Sequence, residues 1–475
     1  MTLVVYSMIP FLPKQISRQA IIVYLIALAI ANLVFINHSI LFGYCVLGIA
    51  FVLGFFGLTS YWTKGWINLS SKGFVRNVFL IALFLRLIWV IASYYYYLYW
   101  TGSPFEYAAA DAIGYHEEAK WLASEGWATT WRYYFGPDSG GISDVGYPFY
   151  LSLLYRVFGP VIFIPRFIKA FLSAYTCILI YRLSSRTFGE STGRMAGIMA
   201  ALMPNLIIYC GYHLKETEML FLAVAFLERM DFLLRSKEIS FWNILLPSLL
   251  AGSLFFFRTV LGAAAVFSFA TAVLLASTPS MKKGWKRTAL IGWGVLCLAV
   301  LGGGTAMTEI EGLWEGRDDN INNKRLEQTI RGNQWAQYAT GTVMAPMVFV
   351  LPFSTMITVE QQYSQLTKHG GNFIRNFMGF FAFLAVFEAI RKKKWRDFAL
   401  IGSFVFAYLG VVSLSGFSNS ERFLLPGLPG LIMMWAYGIS VLNAKSYKWL
   451  TPWCIVVVVM EIAWAYFKLG SRGLV

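Results

Sequence analysis

Long apolar runs separated by short polar connections recur along this chain of 475 residues. A helix that crosses a bilayer needs roughly 17–25 mostly apolar residues, and the runs have about that length. They predict about thirteen membrane-spanning helices, at 20–36, 39–58, 77–97, 162–182, 193–211, 215–234, 241–257, 259–277, 288–308, 371–390, 398–415, 422–441 and 449–467. The expected fold class is therefore an all-α polytopic membrane protein, with one membrane domain over residues 1–475.

Two segments between these runs, 101–160 and 308–370, are too long to be simple connections. Long loops in compact proteins are usually functional or disordered, and the Trp, Tyr and Pro residues here argue against disorder. In the first segment, the apolar stretch from Tyr147 to Phe158 is too short to cross, so we expect a helix lying at the membrane interface. In the second, the apolar stretch 343–356 is interrupted by two prolines and is expected to be re-entrant or surface-lying.

The composition fits a membrane protein, because 58% of the residues are hydrophobic and only 13% are charged. The net charge of +15 sits in short basic clusters between apolar runs, which disfavours nucleic-acid binding and marks the cytoplasmic side. The five cysteines stand singly, without the spacing of a metal site. Six basic clusters alternate without conflict and place the N-terminus in the cytoplasm and the C-terminus outside: Lys64, Lys72 and Arg76; Arg182, Arg186 and Arg194; Arg235 and Lys237; Lys282, Lys283, Lys286 and Arg287; Arg391 to Lys394; and Lys445 and Lys448.

The predicted outer side carries the residues that could do chemistry, including all four histidines of the chain. Within the first outer segment, Asp111, Tyr115, Ala119 and Leu122 fall on one stripe of a helix. Asp111 stands at the start of that stripe, where it could simply cap the helix. The alternative is that Asp111 hydrogen-bonds an incoming nucleophile and accepts its proton.

Several stretches, taken in order, resemble the GT-C class of membrane glycosyltransferases, in the branch of the protein O-mannosyltransferases and the lipid A aminoarabinose transferase. The likeness covers roughly 77–440, and the two helices before residue 60 look like an addition to it. It rests on Leu85-Arg86-Leu87, the Asp-Ala-x-x-Tyr-x-x-x-Ala pattern from Asp111 to Ala119, Gly146 to Leu151 ending at Phe158-Gly159, Arg166 with Tyr181-Arg182 and Thr187-Phe188-Gly189, Pro204 with Leu214 to Glu218, and Glu421 to Pro426 with Pro429.

The resemblance implies transfer of a sugar from a polyprenyl-phosphate donor to a protein, lipid or glycan acceptor at the outer face of the bacterial inner membrane. Asp111 would be the general base, with Asp144 as a second acidic residue. The stretch Asp144-Val145-Gly146-Tyr147-Pro148 departs from the branch's usual Asp/Glu-Lys-Pro-Pro pattern. No Asp-x-Asp pair occurs in the first outer segment, so neither a bound metal nor another cofactor is indicated.

Cationic side chains at the outer helix ends are the candidates for holding the donor phosphate. Lysine and arginine at helix ends also commonly extend to the interface without binding anything, and this alternative stays open. Glu216 either orders its hairpin or has a purely structural role. The residues expected to contact substrate are Tyr115, His116, Tyr147, Lys215, Glu216, Arg258, Arg375, Glu421 and Arg422.

Two other functions fit a multi-spanning protein of this kind. A polysaccharide polymerase or ligase also uses lipid-linked glycans, but typically relies on Arg and His in its outer loops. A transporter or flippase is expected to have charged or broken helices at mid-membrane, and the sequence suggests few buried charges beyond Arg86 and Glu228.

The predicted orientation can be tested with single cysteines introduced after the five native ones are replaced. Cysteines at positions 140, 320 and 418 should react with a membrane-impermeant thiol reagent added outside, whereas those at 190, 284 and 393 should not. Outside labelling at 393 would reverse the orientation and move the candidate site to the cytoplasmic face.

Overall fold

The structure is a computed structural model that describes residues 9–136, 144–236, 240–275, 284–301, 347, 349–359, 362–414, 420–470 and 472–474. Over these residues the chain is helical, and its β-structure is limited to an isolated bridge between Ser39 and Ile357. Within the described residues, eight helices are long and apolar enough to cross a membrane, or nine if one bent pair is a single span. The predicted all-α polytopic fold is confirmed, whereas the count of about thirteen spans is not.

The chain begins with three long apolar helical segments. The first is α1 (Lys14–Val34), and the second joins α2 (Phe42–Leu53) through a π-helical turn, Gly54–Leu58, to α3 (Thr59–Gly65). The third is α4 (Ser71–Thr101), capped at its start by the Ser70 side chain, which accepts a hydrogen bond from the Gly73 N–H at 3.1 Å.

The first outer segment folds into three short helices, α5 (Ala110–Ser124), α6 (Trp127–Phe135) and α7 (Gly146–Phe158). The helix predicted from Tyr147 is therefore present as α7, and it packs along α5. Of the two roles considered for Asp111, capping of the helix is not found. Ala109 occupies the N-cap position, and Asp111 lies in the first turn with its carboxylate directed to another helix.

The middle of the chain centres on α8 (Phe163–Phe188), which packs against α4, α9 (Glu190–Leu202) and α11 (Glu216–Arg235). Between α9 and α11 lies α10 (Pro204–Ile208), bent by 52° from α9. Shorter apolar helices follow: α12 (Phe241–Phe257), α13 (Thr259–Leu275) and α14 (Gly284–Leu301). The predicted spans 215–234, 241–257, 259–277 and 288–308 overlap α11, α12, α13 and α14, which are shorter or more charged than the eight long helices. Residues 276–277 and 302–308 of these spans lie outside the described residues.

The break between α9 and α10 leaves carbonyl groups without their usual partners, because Pro204 has no N–H to donate to the Ala200 carbonyl. Arg86, wholly buried in α4, supplies the missing donors. Its guanidinium donates to the carbonyl oxygens of Ala200 at 3.2 Å and Ala201 at 3.1 Å, and its Nε donates to Ser173 Oγ at 2.7 Å. The polar partners expected for Arg86 are therefore the carbonyl groups at the end of α9 that the break leaves free.

The C-terminal part contains α15 (Tyr363–Leu366), α16 (His369–Arg391), α17 (Trp395–Leu414), α18 (Glu421–Leu424), α19 (Leu428–Ser440), α20 (Ala444–Tyr447) and α21 (Leu450–Gly470). Ahead of them, residues 349–359 form no helix and are mostly buried. The Asn376 side chain fixes this stretch by donating to the carbonyl oxygens of Val350 at 2.6 Å and Pro352 at 2.9 Å. Residues 308–346, 348 and 360–361 of the second long segment lie outside the described residues, and the re-entrant or surface-lying course of 343–356 stays a prediction.

The structure buries more charge than the sequence suggests. In addition to Arg86 and Glu228, the buried ionisable side chains within or beside the long helices include Arg166, Lys169, Glu218, Glu388, Glu461 and Lys468. The expectation of few buried charges is therefore wrong.

Loops assigned to the same side of the membrane lie together. The Arg194 guanidinium, from the second basic cluster, donates to the carbonyl oxygens of Trp66 at 2.8 Å and Ile67 at 3.1 Å, beside the first cluster. This arrangement is consistent with the predicted alternation, and which side faces the cytoplasm stays a prediction.

Candidate functional site

A salt-bridged cluster centred on Arg422 joins three parts of the chain that are distant in sequence. The Arg422 guanidinium donates from Nε to Glu216 and from Nη1 to Asp111, and its Nη2 lies 3.5 Å from the Tyr115 hydroxyl. Arg422 and Glu216 are buried or nearly so, whereas the Asp111 side chain is 59% exposed. One guanidinium therefore orients a carboxylate that a substrate can reach.

A second ion pair lies beside this cluster, between Lys215 and Asp144. The Lys215 ammonium is almost completely buried and also lies 3.3 Å from the Phe257 carbonyl oxygen, while Asp144 is 61% exposed. Asp144 has a φ of +63°, a left-handed conformation that Asp tolerates better than most residues. In both pairs, a carboxylate that is about 60% exposed contacts a cation that is mostly or wholly buried.

The turn that leads into α11 places Lys215 and Glu216. The Lys169 ammonium donates to the backbone carbonyls of Tyr212, at 2.9 Å, and Leu214. It also lies 3.8 Å from the Glu218 carboxylate. As the first residue of α11, Glu216 lies where the helix dipole favours a negative charge. Lys169 therefore shapes the turn that brings Glu216 to Arg422.

Glu421 does not pair with its neighbour Arg422. One of its carboxylate oxygens lies 3.0 Å from the Lys368 ammonium, and the other accepts a hydrogen bond from the Asn205 amide. Asn205 approaches Gly371 so closely that a Cβ there would meet Asn205 Oδ1 at 1.9 Å. Glu421 therefore ties α18 to α10 and to the start of α16.

Arg258 and Arg375 lie near the cluster in different ways. The Arg258 guanidinium stacks over the Phe423 ring at 4.5 Å, one residue from Arg422. Arg375 lies deeper, where its Nη1 is 3.5 Å from the Leu424 carbonyl oxygen. Nη1 of Arg258 and both Nε and Nη2 of Arg375 are buried without a hydrogen-bond partner among the described residues. These are unused donors next to the site.

Tyr147 and His116 form a layer behind Tyr115. The Tyr147 ring packs edge-on against Tyr115, with 5.2 Å between centroids. His116 turns towards Tyr155, whose hydroxyl lies 2.8 Å from His116 Nδ1 and 3.1 Å from His213 Nε2. Burial lowers the pKa of both histidines, so that both stay neutral near pH 7. A neutral imidazole can accept as well as donate, so the Tyr155 hydroxyl can donate to one of the two rings and accept from the other.

The structure thus gathers most of the sequence-predicted residues at one end of the helices. Arg422 contacts Asp111, Glu216 and Tyr115, and Lys215 pairs with Asp144. Glu421, Arg258 and Tyr147 lie beside these groups, and Glu421 has its own partners in Lys368 and Asn205. Sequence reasoning missed Lys169, Asn205 and Lys368. A lysine three residues after Arg166 in an apolar helix was the available signal for Lys169, and nothing comparable marks Asn205. The described residues contain no group of three or more His, Cys, Asp or Glu that could hold a metal ion.

Comparison with known proteins gives little on which to base an activity. No model of a protein family matches the chain, and no curated protein matches it in sequence. Among solved structures, the chain is similar to the crystal structure of ArnT from Cupriavidus metallidurans bound to undecaprenyl phosphate, with 16% identity and a TM-score of 0.48. The match covers 82% of this chain and 64% of that one, less than two thirds of its length. At this level of similarity, the function has to be argued from the site.

The pairing of Arg422 can be tested by double-mutant cycles on thermal stability in detergent. We expect Arg422→Met and Glu216→Gln to couple by about 0.5–3 kcal/mol, since each removes the partner of the other. The matched cycle of Arg422→Met with Glu421→Gln should be nearly additive, because Glu421 is held by Lys368 and Asn205. Stronger coupling to Glu421 than to Glu216 would contradict this geometry.

Proposed function

We propose that this protein is a glycosyltransferase of the GT-C type, which transfers a sugar from a polyprenyl-phosphate-linked donor to an acceptor hydroxyl or amine at the outer face of the membrane. The main support is the arrangement around Arg422, where an exposed carboxylate, Asp111, stands beside buried cations at one end of a helical membrane domain. A reaction between a membrane-anchored phosphosugar and an acceptor needs both groups at such a place.

Asp111 is the proposed general base. As the acceptor oxygen or nitrogen bonds to the anomeric carbon of the sugar, its proton passes to the Asp111 carboxylate. The bond between the anomeric carbon and the phosphate oxygen breaks, and polyprenyl phosphate leaves with the electron pair. Arg422 positions the base, and the Tyr115 hydroxyl lies beside the same guanidinium.

The leaving phosphate gains negative charge, which nearby cations stabilise. Arg258 fits this role because a buried donor of its guanidinium has no partner among the described residues. Lys215 and Arg422 are currently paired with carboxylates that are about 60% exposed, Asp144 and Asp111. A phosphate that approaches from the exposed side can share these cations without leaving a buried charge alone.

Replacing the base tests the proposal directly. Asp111→Asn keeps the size of the side chain but removes the proton acceptor, so transfer should fall by roughly 10²–10⁴-fold. The measurement is transfer from a polyprenyl-phosphate sugar donor by purified protein. Glu117→Gln is the matched control on the same helix, since that carboxylate pairs with Lys120 at the surface. Transfer by Asp111→Asn at the parental rate would leave a structural role alone for Asp111, and would favour a polymerase or ligase that depends on Arg and His.

A second variant tests the cation. Arg422→Lys keeps the charge but loses the planar fork that reaches two acidic groups at once. If one charge-assisted hydrogen bond worth about 1.5–3 kcal/mol is lost, affinity for undecaprenyl phosphate should fall by about 10–150-fold. Arg132→Lys, at an exposed position of α6 away from the Arg422 cluster, is the control and should bind as the parent does. Parental affinity in Arg422→Lys would show that Arg422 does not contact phosphate.

A further inference from the structure

A large aromatic cavity lies between α2 and α4, away from the Arg422 cluster. Its volume is about 770 Å³, and its lining includes Tyr44, Leu47, Trp89, Tyr96 and Trp100. Both helices belong to segments long and apolar enough to cross a membrane. The cavity therefore lies among apolar side chains between two helices of membrane-spanning length.

One end of the cavity is closed by residues of the two outer segments. Tyr107 and Tyr363 line it, with ring centroids 5.5 Å apart, and Thr367 joins them. Across the cavity wall, the hydroxyls of Tyr44 and Tyr96 are hydrogen-bonded at 2.8 Å. Polar groups are thus concentrated towards the outer end, and an elongated apolar ligand with a polar head suits this distribution.

A series of side-chain contacts links this end of the cavity to the candidate site. Thr367 lines the cavity, and its hydroxyl lies 3.1 Å from the Tyr212 hydroxyl. The next residue, Lys368, places its ammonium 5.9 Å from the Tyr212 ring and pairs with Glu421. Glu421 precedes Arg422, which binds Asp111. The apolar cavity is thus followed by the cations Lys368 and Arg422 and then by the carboxylate of Asp111.

We propose that this cavity holds the isoprenoid tail of the donor, with its phosphate at the cations that follow the cavity, Lys368 and then Arg422, and its sugar towards Asp111. The inference rests on the proposed function, and adds to it a tail site walled by α2, part of the helix pair at the N-terminus. The sequence of apolar, cationic and acidic groups matches the order of tail, phosphate and sugar in such a donor. An isoprenoid tail that moves from lipid or detergent into the cavity gains close packing against aromatic walls, and this part of the binding is independent of the sugar.

A glycine in the cavity lining makes the test sharp. A Cβ added at Gly43 in α2 would meet nothing within 4 Å, so Gly43→Trp can fill the cavity without a clash at its first atom. Gly57, in the π-helical turn that continues α2, also has open space but does not line the cavity, and Gly57→Trp is the matched control. Ala92→Phe fills the cavity from the facing α4 and provides a second variant if Gly43→Trp does not fold.

The measurement is the affinity of the full-length protein in detergent for undecaprenyl phosphate and for the short-chain geranyl phosphate. Filling the cavity removes packing contacts of the tail, so Gly43→Trp should lower undecaprenyl phosphate affinity by about tenfold, which corresponds to the loss of roughly ten atom–atom contacts. The advantage of the long chain over the short one should shrink, and Gly57→Trp should match the parent.

The outcomes separate the tail site from the function. If both cavity-filling variants bind undecaprenyl phosphate with parental affinity, the tail site is overturned and the proposed function stands. The same holds if native mass spectrometry shows that the variants have lost only a bound phospholipid. An equal loss in Gly57→Trp would also overturn it. If the parent protein binds neither prenyl phosphate, the proposed function fails, and the tail site fails with it.

Discussion

The capping of a broken helix by Arg86 supports the rest of the candidate site. Pro204 interrupts the chain between α9 and α10, and the freed carbonyls of Ala200 and Ala201 accept hydrogen bonds from the buried guanidinium. Without these donors, carbonyl groups would remain unsatisfied in an apolar interior, where each costs about 1–3 kcal/mol. The bend at this break directs α10 and the following turn, and with them Asn205, Lys215 and Glu216, towards the outer segments.

The site itself combines buried cations with exposed carboxylates. Removing one partner from a buried pair is expensive, so Lys215 and Arg422 need compensating charge even when no substrate is present. Asp144 and Asp111 provide it from positions that remain about 60% exposed. The same arrangement suits an anionic substrate, because a phosphate that enters from the exposed side meets cations that are already oriented. Stability of the site and the proposed recognition of the donor thus depend on the same groups.

The helix pair at the N-terminus is built into the core of the molecule. The Tyr24 hydroxyl lies 2.8 Å from His369 Nε2, and Gly48 approaches the same imidazole so closely that a Cβ would overlap it. His369 begins α16, directly after Lys368. The pair therefore supports the start of α16 on one side and forms a wall of the aromatic cavity on the other, which connects a region outside the family resemblance to the donor side of the proposed reaction.

The sequence alone determined the helical membrane fold, the helix at Tyr147 and the grouping of Asp111, Lys215 and Arg422 on one side, because apolar run length and basic loops report directly on membrane crossing. It did not determine how many helices span the membrane. It left open a capping role for Asp111 that the structure does not show, and it suggested fewer buried ionisable side chains than the structure contains. The pairing of Arg422 with Glu216 and Asp111, instead of with Glu421, joins residues 206 and 311 positions apart. Lys169, Asn205 and Lys368 likewise gain their roles only from neighbours on other helices. Such contacts depend on how the helices pack, and local sequence patterns carry no information about distances between helices; only the tertiary structure decided them.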